Sequence, residues 1–313
     1  MGRVLVTRHL PEGGTDPLVD AGHEIVQRAD DTALTPAELA AAAADVDAIV
    51  CLLTDRIDAG LLDVAGARLR VVANVAVGYD NIDVDAARAR DITVCNTPGV
   101  LDDTTADLAV LLMLTAARRA SEAEADLRGG RWAGWGINQY LGVDIHGACL
   151  GLVGYGRIGQ AVARRAAGFG MSVLHHTRTD TGATGWLPDL DELLARADVV
   201  SLHVPLTEAT RHLIGADRLG VMKPTAVLVN TARGPVVDEA ALVDALERRT
   251  IFGAGIDVFE REPEVQPGLL RSPHVTVLPH IGSASVATRT RMAQVACTGV
   301  VEVLAGREPE TRV

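Results

Sequence analysis

Three polar residues in the C-terminal half of the chain each follow an apolar, strand-like run. They are Arg233, Glu262 and His280. In an open parallel sheet, ligands bind beside the carboxyl ends of the strands, so these positions suit a substrate site. A lone arginine or glutamate at a strand end is often only a surface loop residue. The combination of the three side chains is what points to chemistry.

Each of the three side chains has a distinct chemical capacity. The fork of the Arg233 guanidinium matches a carboxylate in a bidentate pair. His280 is suited to proton donation because the ordinary pKa of histidine is about 6.5. Glu262 would stabilise the imidazolium and raise the pKa of His280, which keeps the acid form available near neutral pH. The set needs neither a metal nor a covalent nucleophile.

A glycine-rich segment supplies the second chemical signal. Residues 150–159 read Leu-Gly-Leu-Val-Gly-Tyr-Gly-Arg-Ile-Gly, and a helical pattern and another apolar run follow. This is the strand–turn–helix–strand context of the dinucleotide fingerprint. Gly154 would allow the tight turn, Gly156 the approach of a pyrophosphate, and Gly159 the packing of helix on strand. The amino end of the helix would present N–H groups and partial positive charge to the phosphates.

The end of the second strand of this unit indicates which dinucleotide is bound. An NAD site places Asp or Glu there to hold the ribose hydroxyls. This strand instead ends His175-His176-Thr177-Arg178-Thr179, and Asp180 lies past the expected position. Arg178 is placed to hold a 2′-phosphate by paired hydrogen bonds, and Thr177 to donate a further one. The sequence predicts NADPH in preference to NADH, with NADH still possible.

Together the two signals predict reduction of a 2-keto acid by hydride transfer. Arg233 would bind the substrate carboxylate, and His280 would protonate the alkoxide as it develops. In the reverse direction, neutral His280 would act as the base. His175 and His176 are interpreted as strand-end residues rather than catalytic ones.

Two series of alternating strands and helices must position these residues. Residues 1–97 alternate short apolar runs with helical patterns and contain no Gly-x-Gly-x-x-Gly, which predicts an α/β layer domain without the fingerprint. The runs from 149 to 278 predict about six parallel strands in a Rossmann domain. One long helical pattern covers Asp102–Leu127. A final helix at Ser285–Ala305 is expected to cross back onto the first unit.

The predicted fold class is α/β, with two doubly wound parallel-sheet domains. Residues 98–281 form the Rossmann NAD(P)-binding domain. Residues 1–97 and 282–313 form a flavodoxin-like, discontinuous domain that binds the substrate. A cleft between the domains would have hinges near Thr97–Gly99 and Ile281–Ser285.

Composition and charge limit the partners. The 313 residues have a formal net charge of −12, so nucleic acid and anionic membranes would be repelled. The longest apolar run, Leu108–Leu114, is too short to span a bilayer, and no secretory leader precedes the strand at Val4. The four cysteines lie far apart in sequence, which disfavours metal knuckles and short disulfide loops. We expect a cytoplasmic enzyme without a metal.

Motifs over nearly the whole chain match one known family in order. They are Asn-Val-Ala-Val-Gly-Tyr-Asp at 74–80, Asn-Thr-Pro-Gly at 96–99, Thr-Thr-Ala-Asp at 104–107, the fingerprint, His-Val-Pro-Leu at 203–206, and the segments of Arg233, Glu262 and His280. The chain resembles the D-isomer-specific 2-hydroxyacid dehydrogenases, most of all their glyoxylate/hydroxypyruvate reductase branch. The resemblance implies that Arg233, Glu262 and His280 have the catalytic roles given above.

The resemblance implies further contacts. The backbone at Val77 and Gly78 would meet the substrate carboxylate, Leu53 would line the substrate pocket, and Trp135 would close the pocket of a partner subunit. Members are usually homodimers joined through the Rossmann domains and an arm near residues 100–145, so a homodimer is expected. Asp257 would hold the nicotinamide carboxamide. Thr105 would lie in the cleft near the nicotinamide. The other cofactor contacts would be Arg157 and Ile158 at the pyrophosphate, with Val204, Pro205, Thr210, Thr231, Ala232 and Gly282 elsewhere along the cofactor.

Alternatives stay open at this point. D-lactate-, phosphoglycerate- and phosphite-type dehydrogenases share the three catalytic residues. A phosphorylated substrate would need extra cations, and the Leu53 region offers only Arg56, so small unphosphorylated acids fit better. The same fold also serves as a nucleotide-sensing transcriptional corepressor, for which a partner groove and long tails would be expected.

Overall fold

The computed structural model describes residues 1–313 and divides them into two compact units. The first comprises residues 1–101 and 283–313, and the second comprises residues 102–282. The sequence predicts these divisions at 97/98 and 281/282. No helix combines the length and apolarity that crossing a membrane requires.

A five-stranded parallel sheet lies at the centre of the first unit. Its order is β2-β1-β3-β4-β5, the flavodoxin-like arrangement that the sequence predicts. Strands β3 and β4 are buried along their whole length, which is why they read as continuous apolar runs. The elements are β1 (Arg3–Val6), α1 (Asp16–Asp20), β2 (Glu24–Gln27), α2 (Pro36–Ala43), β3 (Ala48–Cys51), α3 (Ala59–Ala65), β4 (Val71–Asn74), α4 (Val84–Arg88) and β5 (Thr93–Cys95).

A six-stranded parallel sheet forms the second unit, in the order β11-β10-β9-β8-β6-β7. Strand β7 lies on one side of β6, and β8 to β11 are added in sequence on the other side, so the sheet is doubly wound. The predicted Rossmann domain is confirmed. The elements are α5 (Asp102–Ala117), α6 (Ala120–Arg128), β6 (Cys149–Val153), α7 (Arg157–Ala166), β7 (Ser172–His176), α8 (Leu190–Arg196), β8 (Val199–Leu202), α9 (Ala216–Val221), β9 (Val227–Asn230), α10 (Glu239–Glu247), β10 (Gly253–Ile256), α11 (Pro267–Arg271) and β11 (Val275–Val277).

The prediction of one continuous helix over Asp102–Leu127 is wrong. Helices α5 and α6 are separated at Arg119, whose φ of 51° lies in the left-handed region. The amide of Val143 donates to the carbonyl oxygen of Ala117 at 3.0 Å. The segment around Val143 therefore occupies a carbonyl that would accept an intrahelical hydrogen bond if the helix continued. The sequence does not reveal this break, because alanine and arginine around residue 119 are good helix formers.

The final helix, α12 (Val286–Leu304), packs against α1 and the strands β3, β4 and β5 of the first unit. Its N-cap is Ser285, whose hydroxyl accepts from the amide of Thr288 at 3.1 Å. The first unit is therefore built from both ends of the chain, as the sequence predicts.

Candidate active site

His280 and Glu262 form a hydrogen-bonded pair beside the carboxyl ends of β10 and β11. The Nδ1 atom of His280 lies 2.8 Å from Oε2 of Glu262, and the two side chains are 25% and 27% exposed. The other oxygen, Oε1, accepts from the amide of Phe259 at 3.0 Å. Burial opposes ionisation of Glu262, but the hydrogen bond from His280 and its charge hold the pKa of Glu262 below its ordinary value. Glu262 is thus an oriented carboxylate at neutral pH.

The turn that carries His280 is anchored by the buried Asp257. His280 has a φ of 55°, a left-handed conformation that is uncommon outside glycine. The two carboxylate oxygens of Asp257 accept from the amides of Ile281 and Gly282, each at 2.8 Å. The amide of His280 donates to the carbonyl of Asp257, also at 2.8 Å. Asp257 therefore holds the backbone on both sides of His280.

Burial raises the pKa of Asp257 to about 6, although the amides of Ile281 and Gly282 lower it. A Cβ added to Gly282 would lie 3.3 Å from Oδ2 of Asp257 and 3.5 Å from Cγ2 of Thr105. Asp257 and Thr105, which the resemblance assigns to the nicotinamide end of a cofactor, thus lie together with Gly282 next to His280. The sequence does not predict that Asp257 also holds the histidine turn.

Arg233 lies in a tight turn after β9. The side-chain amide of Asn230 donates to the carbonyl of Arg233 at 2.9 Å, and the amide of Ala232 donates back to Asn230 at 3.0 Å. A Cβ on Gly234 would lie 1.9 Å from the carbonyl carbon of Phe259. Only glycine permits this approach, which brings the Arg233 turn against the segment leading to Glu262. The positive charge of Arg233 contributes to the lowered pKa of Glu262.

Two glutamates, Glu239 and Glu260, also connect the segment that follows Arg233 to the loop of Glu262. The amide of Glu239 donates to Oε1 of Glu260 at 2.9 Å, and the amide of Glu260 donates to Oε1 of Glu239 at 2.7 Å. Glu239 is only 7% exposed, and burial raises its pKa. Sequence reasoning missed this reciprocal contact, because an acid at a helix start and an acid in a loop both look like solvated residues. The link joins the start of α10, just after Arg233, to the loop of Glu262.

The three glycines of the fingerprint differ in the space around them. Gly154 has a φ of 96°, and a Cβ there would lie 2.4 Å from the carbonyl oxygen of His203. A Cβ on Gly159 would lie 2.4 Å from the oxygen of Gly154, so helix and turn are in close contact. Around Gly156 no atom lies within 4 Å of such a Cβ. Gly156 also begins α7 without a side-chain cap, which leaves backbone amides for a phosphate.

Other residues at this edge fit a dinucleotide. The hydroxyl of Thr231 is buried and has no hydrogen-bond partner, an arrangement that a bound polar ligand would satisfy. The hydroxyl of Thr210 donates to Pro205 at 2.7 Å and so shapes the loop that Val204 begins. The guanidinium of Arg157 pairs with Asp102 at 3.1 Å. Ile158 packs partly buried against the core formed by α5, α7 and the sheet.

His175 and His176 are the last two residues of β7, and the predicted 2′-phosphate residues Thr177 and Arg178 follow directly after the strand. Arg178 is exposed and makes no ion pair within the chain. The hydroxyl of Thr177 already donates to the carbonyl of Thr179 at 2.7 Å. His175 is fully buried, and its ring stacks on Tyr155 with centroids 3.9 Å apart. His176 contacts the carbonyl of Leu187 at 3.0 Å.

The predicted substrate residues of the first unit lie in the loops after β3 and β4, which are neighbouring strands of its sheet. Leu53 is half-buried in the loop after β3, and Val77 and Gly78 are half-buried in the loop after β4. In the second unit, Trp135 is 80% exposed. It belongs to an exposed apolar arm together with Leu127, Trp132, Ile137 and Leu141.

Comparison with known proteins gives a consistent result. Residues 110–282 match the family model described as D-isomer specific 2-hydroxyacid dehydrogenase, NAD binding domain. The chain is 44% identical to the glyoxylate reductase of Thermococcus litoralis, over 99% of this chain and 96% of that protein. The structure of a protein from Thermus thermophilus is similar, with a TM-score of 0.94 and 47% identity over 99% of both chains. The NADPH-dependent glyoxylate/hydroxypyruvate reductase of Sinorhizobium meliloti, solved with NADP and malonate, is similar with a TM-score of 0.86 and 39% identity, over 99% of this chain and 96% of that one.

Proposed function

The chain belongs to the D-isomer-specific 2-hydroxyacid dehydrogenase family, and on this premise we propose that it reduces glyoxylate and hydroxypyruvate with NADPH. The products are 2-hydroxy acids, of D configuration where the carbon is chiral. The observation that carries the proposal is the contact of 2.8 Å between His280 and Glu262, next to the turn of Arg233. The names of the Thermococcus and Sinorhizobium relatives support the choice of substrates.

The three side chains divide the work of the reaction. The nicotinamide dinucleotide, when bound, supplies the hydride. Arg233 binds the carboxylate of the 2-keto acid through its guanidinium fork. His280 gives a proton to the oxygen that becomes the hydroxyl, and Glu262 offsets the positive charge of the imidazolium before the transfer. Because Glu262 stays ionised at neutral pH, this electrostatic support is present where the enzyme works.

The cofactor is held by residues of the second unit. The amides around Gly156 would meet the pyrophosphate, and Thr231 and Asp257 would lie along the remainder of the cofactor. The exposed Arg178 supports NADPH over NADH, because a guanidinium pairs well with a phosphate. The position that holds the ribose hydroxyls in an NAD site is Thr177 here and not an acidic residue.

The active form would be a homodimer in the cytoplasm, where it would have access to NADPH. The exposed apolar arm around Trp135 supports this, since large apolar side chains that are exposed together in one segment often mark an interface. In the dimer, Trp135 of one protomer would close the substrate pocket of the other. Sedimentation equilibrium tests the assembly: a dimer of the wild-type chain that dissociates in Trp135→Ser supports it, and a wild-type monomer contradicts it.

A substrate panel tests the function directly. Oxidation of NADPH and NADH is followed with glyoxylate, hydroxypyruvate, pyruvate and phosphohydroxypyruvate. The expected result is the highest kcat/KM for glyoxylate or hydroxypyruvate with NADPH. A preference for pyruvate or for the phosphorylated acid would instead assign the chain to another branch of the family.

A further inference from the structure

The loop after β4 in the first unit has an unusual hydrogen-bonding pattern. Three consecutive backbone carbonyls each accept a hydrogen bond from a residue at or just after the end of β4 or β5. The carbonyl of Ala76 accepts from the amide of Thr97 at 2.9 Å. The carbonyl of Val77 accepts from the side-chain amide of Asn96, and that of Gly78 from the side-chain amide of Asn74, each at 2.8 Å.

The amides in this loop are left without protein acceptors. No backbone or side-chain atom of the chain accepts a hydrogen bond from the amide of Val77, Gly78 or Tyr79. In a trans peptide, the C=O of one residue and the N–H of the next point in opposite directions. Holding the carbonyls of Ala76, Val77 and Gly78 therefore turns the next three N–H groups away from the asparagines. Successive N–H groups of this kind form a concave site for an anion.

Asn74 is itself fixed by a buried polar network. Its side chain is fully buried, and it donates a second hydrogen bond to Asn81 at 3.0 Å. Asn81 donates to the carbonyls of Leu52 and Asp55 at 3.1 Å and 3.0 Å. The same asparagines thus tie the loop of Gly78 to the loop that carries Leu53. Buried networks of this kind rigidify a structure when every member is satisfied.

We propose that Asn74 and Asn96 are positioning residues for the substrate carboxylate. Neither touches the substrate. Each holds a carbonyl so that the amides following it face the carboxylate. The inference rests on the proposed function, because a 2-keto acid provides the anion. It names the side chains that fix the peptide groups of this backbone site.

The test compares a charged substrate with its neutral counterpart. In Asn96→Ala, the carbonyl of Val77 loses its donor, and we expect the KM for glyoxylate to rise about 10-fold to 100-fold, the range for hydrogen bonds to a charged group. The kcat should change much less, because the lost contact binds substrate and transition state alike. The KM for methyl glyoxylate, which has no carboxylate, and the Kd for NADPH should match those of the wild type. Equal increases in KM for glyoxylate and its ester, or no increase for either, would overturn the proposal.

Control variants separate positioning from general loss of structure. Gln27 also donates from a side-chain amide to a backbone carbonyl in the first unit, that of Arg8 at 3.0 Å. Gln27→Ala should leave the KM for glyoxylate unchanged. Asn74 is fully buried, so Asn74→Ala is compared only at temperatures where its circular dichroism matches the wild type. There the KM for glyoxylate should rise as it does in Asn96→Ala, while the KM for methyl glyoxylate stays at the wild-type value. Equal increases in KM for both substrates would count against the proposal.

Failure of the proposed function gives a different result. If the wild-type chain reduces neither glyoxylate nor its ester, the assigned reaction is wrong. The anion site is then tested with oxalate by isothermal titration calorimetry. Weaker oxalate binding by Asn96→Ala than by the wild type, by the factor given above, supports the positioning role. Equal affinity, or no binding by either protein, overturns it.

Discussion

His280 and Glu262 are joined by a hydrogen bond of 2.8 Å from Nδ1 to Oε2, and neither partner is free to turn away. Glu262 is fixed by the amide of Phe259, and His280 by a backbone turn that Asp257 holds. The histidine therefore has one ring nitrogen directed at a carboxylate and the other left for a substrate. This is the arrangement that a proton donor to a ketone oxygen requires.

Removing the charge of Glu262 should slow reduction. Glu262→Gln keeps the size and one acceptor of the side chain but loses the anion that stabilises the imidazolium. We expect kcat for glyoxylate to fall by about 100-fold, with little change in the Kd for NADPH. The exposed neighbour Glu264 provides a matched control, and Glu264→Gln should retain full activity. A kcat unchanged in Glu262→Gln would remove this residue from the mechanism.

Asp257 should give the stability of the protein a particular pH dependence. Its pKa in the folded state is raised from 3.8 to about 6, so the folded state binds a proton more tightly than the unfolded state between these values. The stabilising contribution is full below pH 3.8 and is lost as the pH rises through about 6. In Asp257→Asn it should be absent.

Urea unfolding of both proteins between pH 4 and 7 measures this effect. The free energy of unfolding of the wild type, relative to that of Asp257→Asn, should decline across this interval. A difference between the two proteins that is constant with pH would show that Asp257 does not titrate with a raised pKa.

Gly234 should be intolerant of any side chain. A Cβ at this position would lie 1.9 Å from the carbonyl carbon of Phe259, so Gly234→Ala must separate the Arg233 turn from the Glu262 loop. We expect a loss of roughly 1–3 kcal/mol or more in the free energy of unfolding, as for other overpacked sites, together with a marked loss of kcat/KM. Gly220, in α9, would have no atom within 4 Å of an added Cβ, so Gly220→Ala should be neutral or slightly stabilising. Similar stabilities for the two variants would contradict this account.

Arg178 should set the choice between NADPH and NADH. Arg178→Asp replaces the guanidinium with a group that repels a 2′-phosphate and can accept from ribose hydroxyls. The ratio of kcat/KM for NADPH to that for NADH should fall by at least about 100-fold, since both the lost attraction and the new repulsion act on the phosphate. The exposed Arg271, at the end of α11, is the control, and Arg271→Asp should leave the ratio unchanged. An unaltered ratio in Arg178→Asp would end the case for a 2′-phosphate site there.

The sequence is a good guide to the fold, and it brings the candidate site residues to notice, because both leave local signals. Buried parallel strands are continuous apolar runs, and Gly154, Gly156 and Gly159 have a fixed spacing that few other structures require. Arg233, Glu262 and His280 follow their strands within a few residues. The pairing of Glu262 with His280, proposed from their chemistry alone, is present at hydrogen-bonding distance.

Contacts between distant segments leave no such local signal. Nothing around Arg119 predicts that Val143 ends α5 by taking the carbonyl of Ala117. The reciprocal contact of Glu239 with Glu260 joins residues that each look like surface acids. The asparagines of the first unit act on backbone carbonyls, so their role depends on the direction of peptide groups, which residue types and spacing do not specify.

His280 is the proposed proton donor of the reaction, and one variant tests this role with little risk to the fold. Asparagine adopts the left-handed backbone of this position more readily than most residues, so His280→Asn should keep the turn that Asp257 holds. The measurement is kcat for glyoxylate reduction with saturating NADPH, alongside the Kd for NADPH. We predict a fall in kcat of about 100-fold to 10,000-fold with cofactor binding intact. Full activity in His280→Asn would contradict the assigned mechanism.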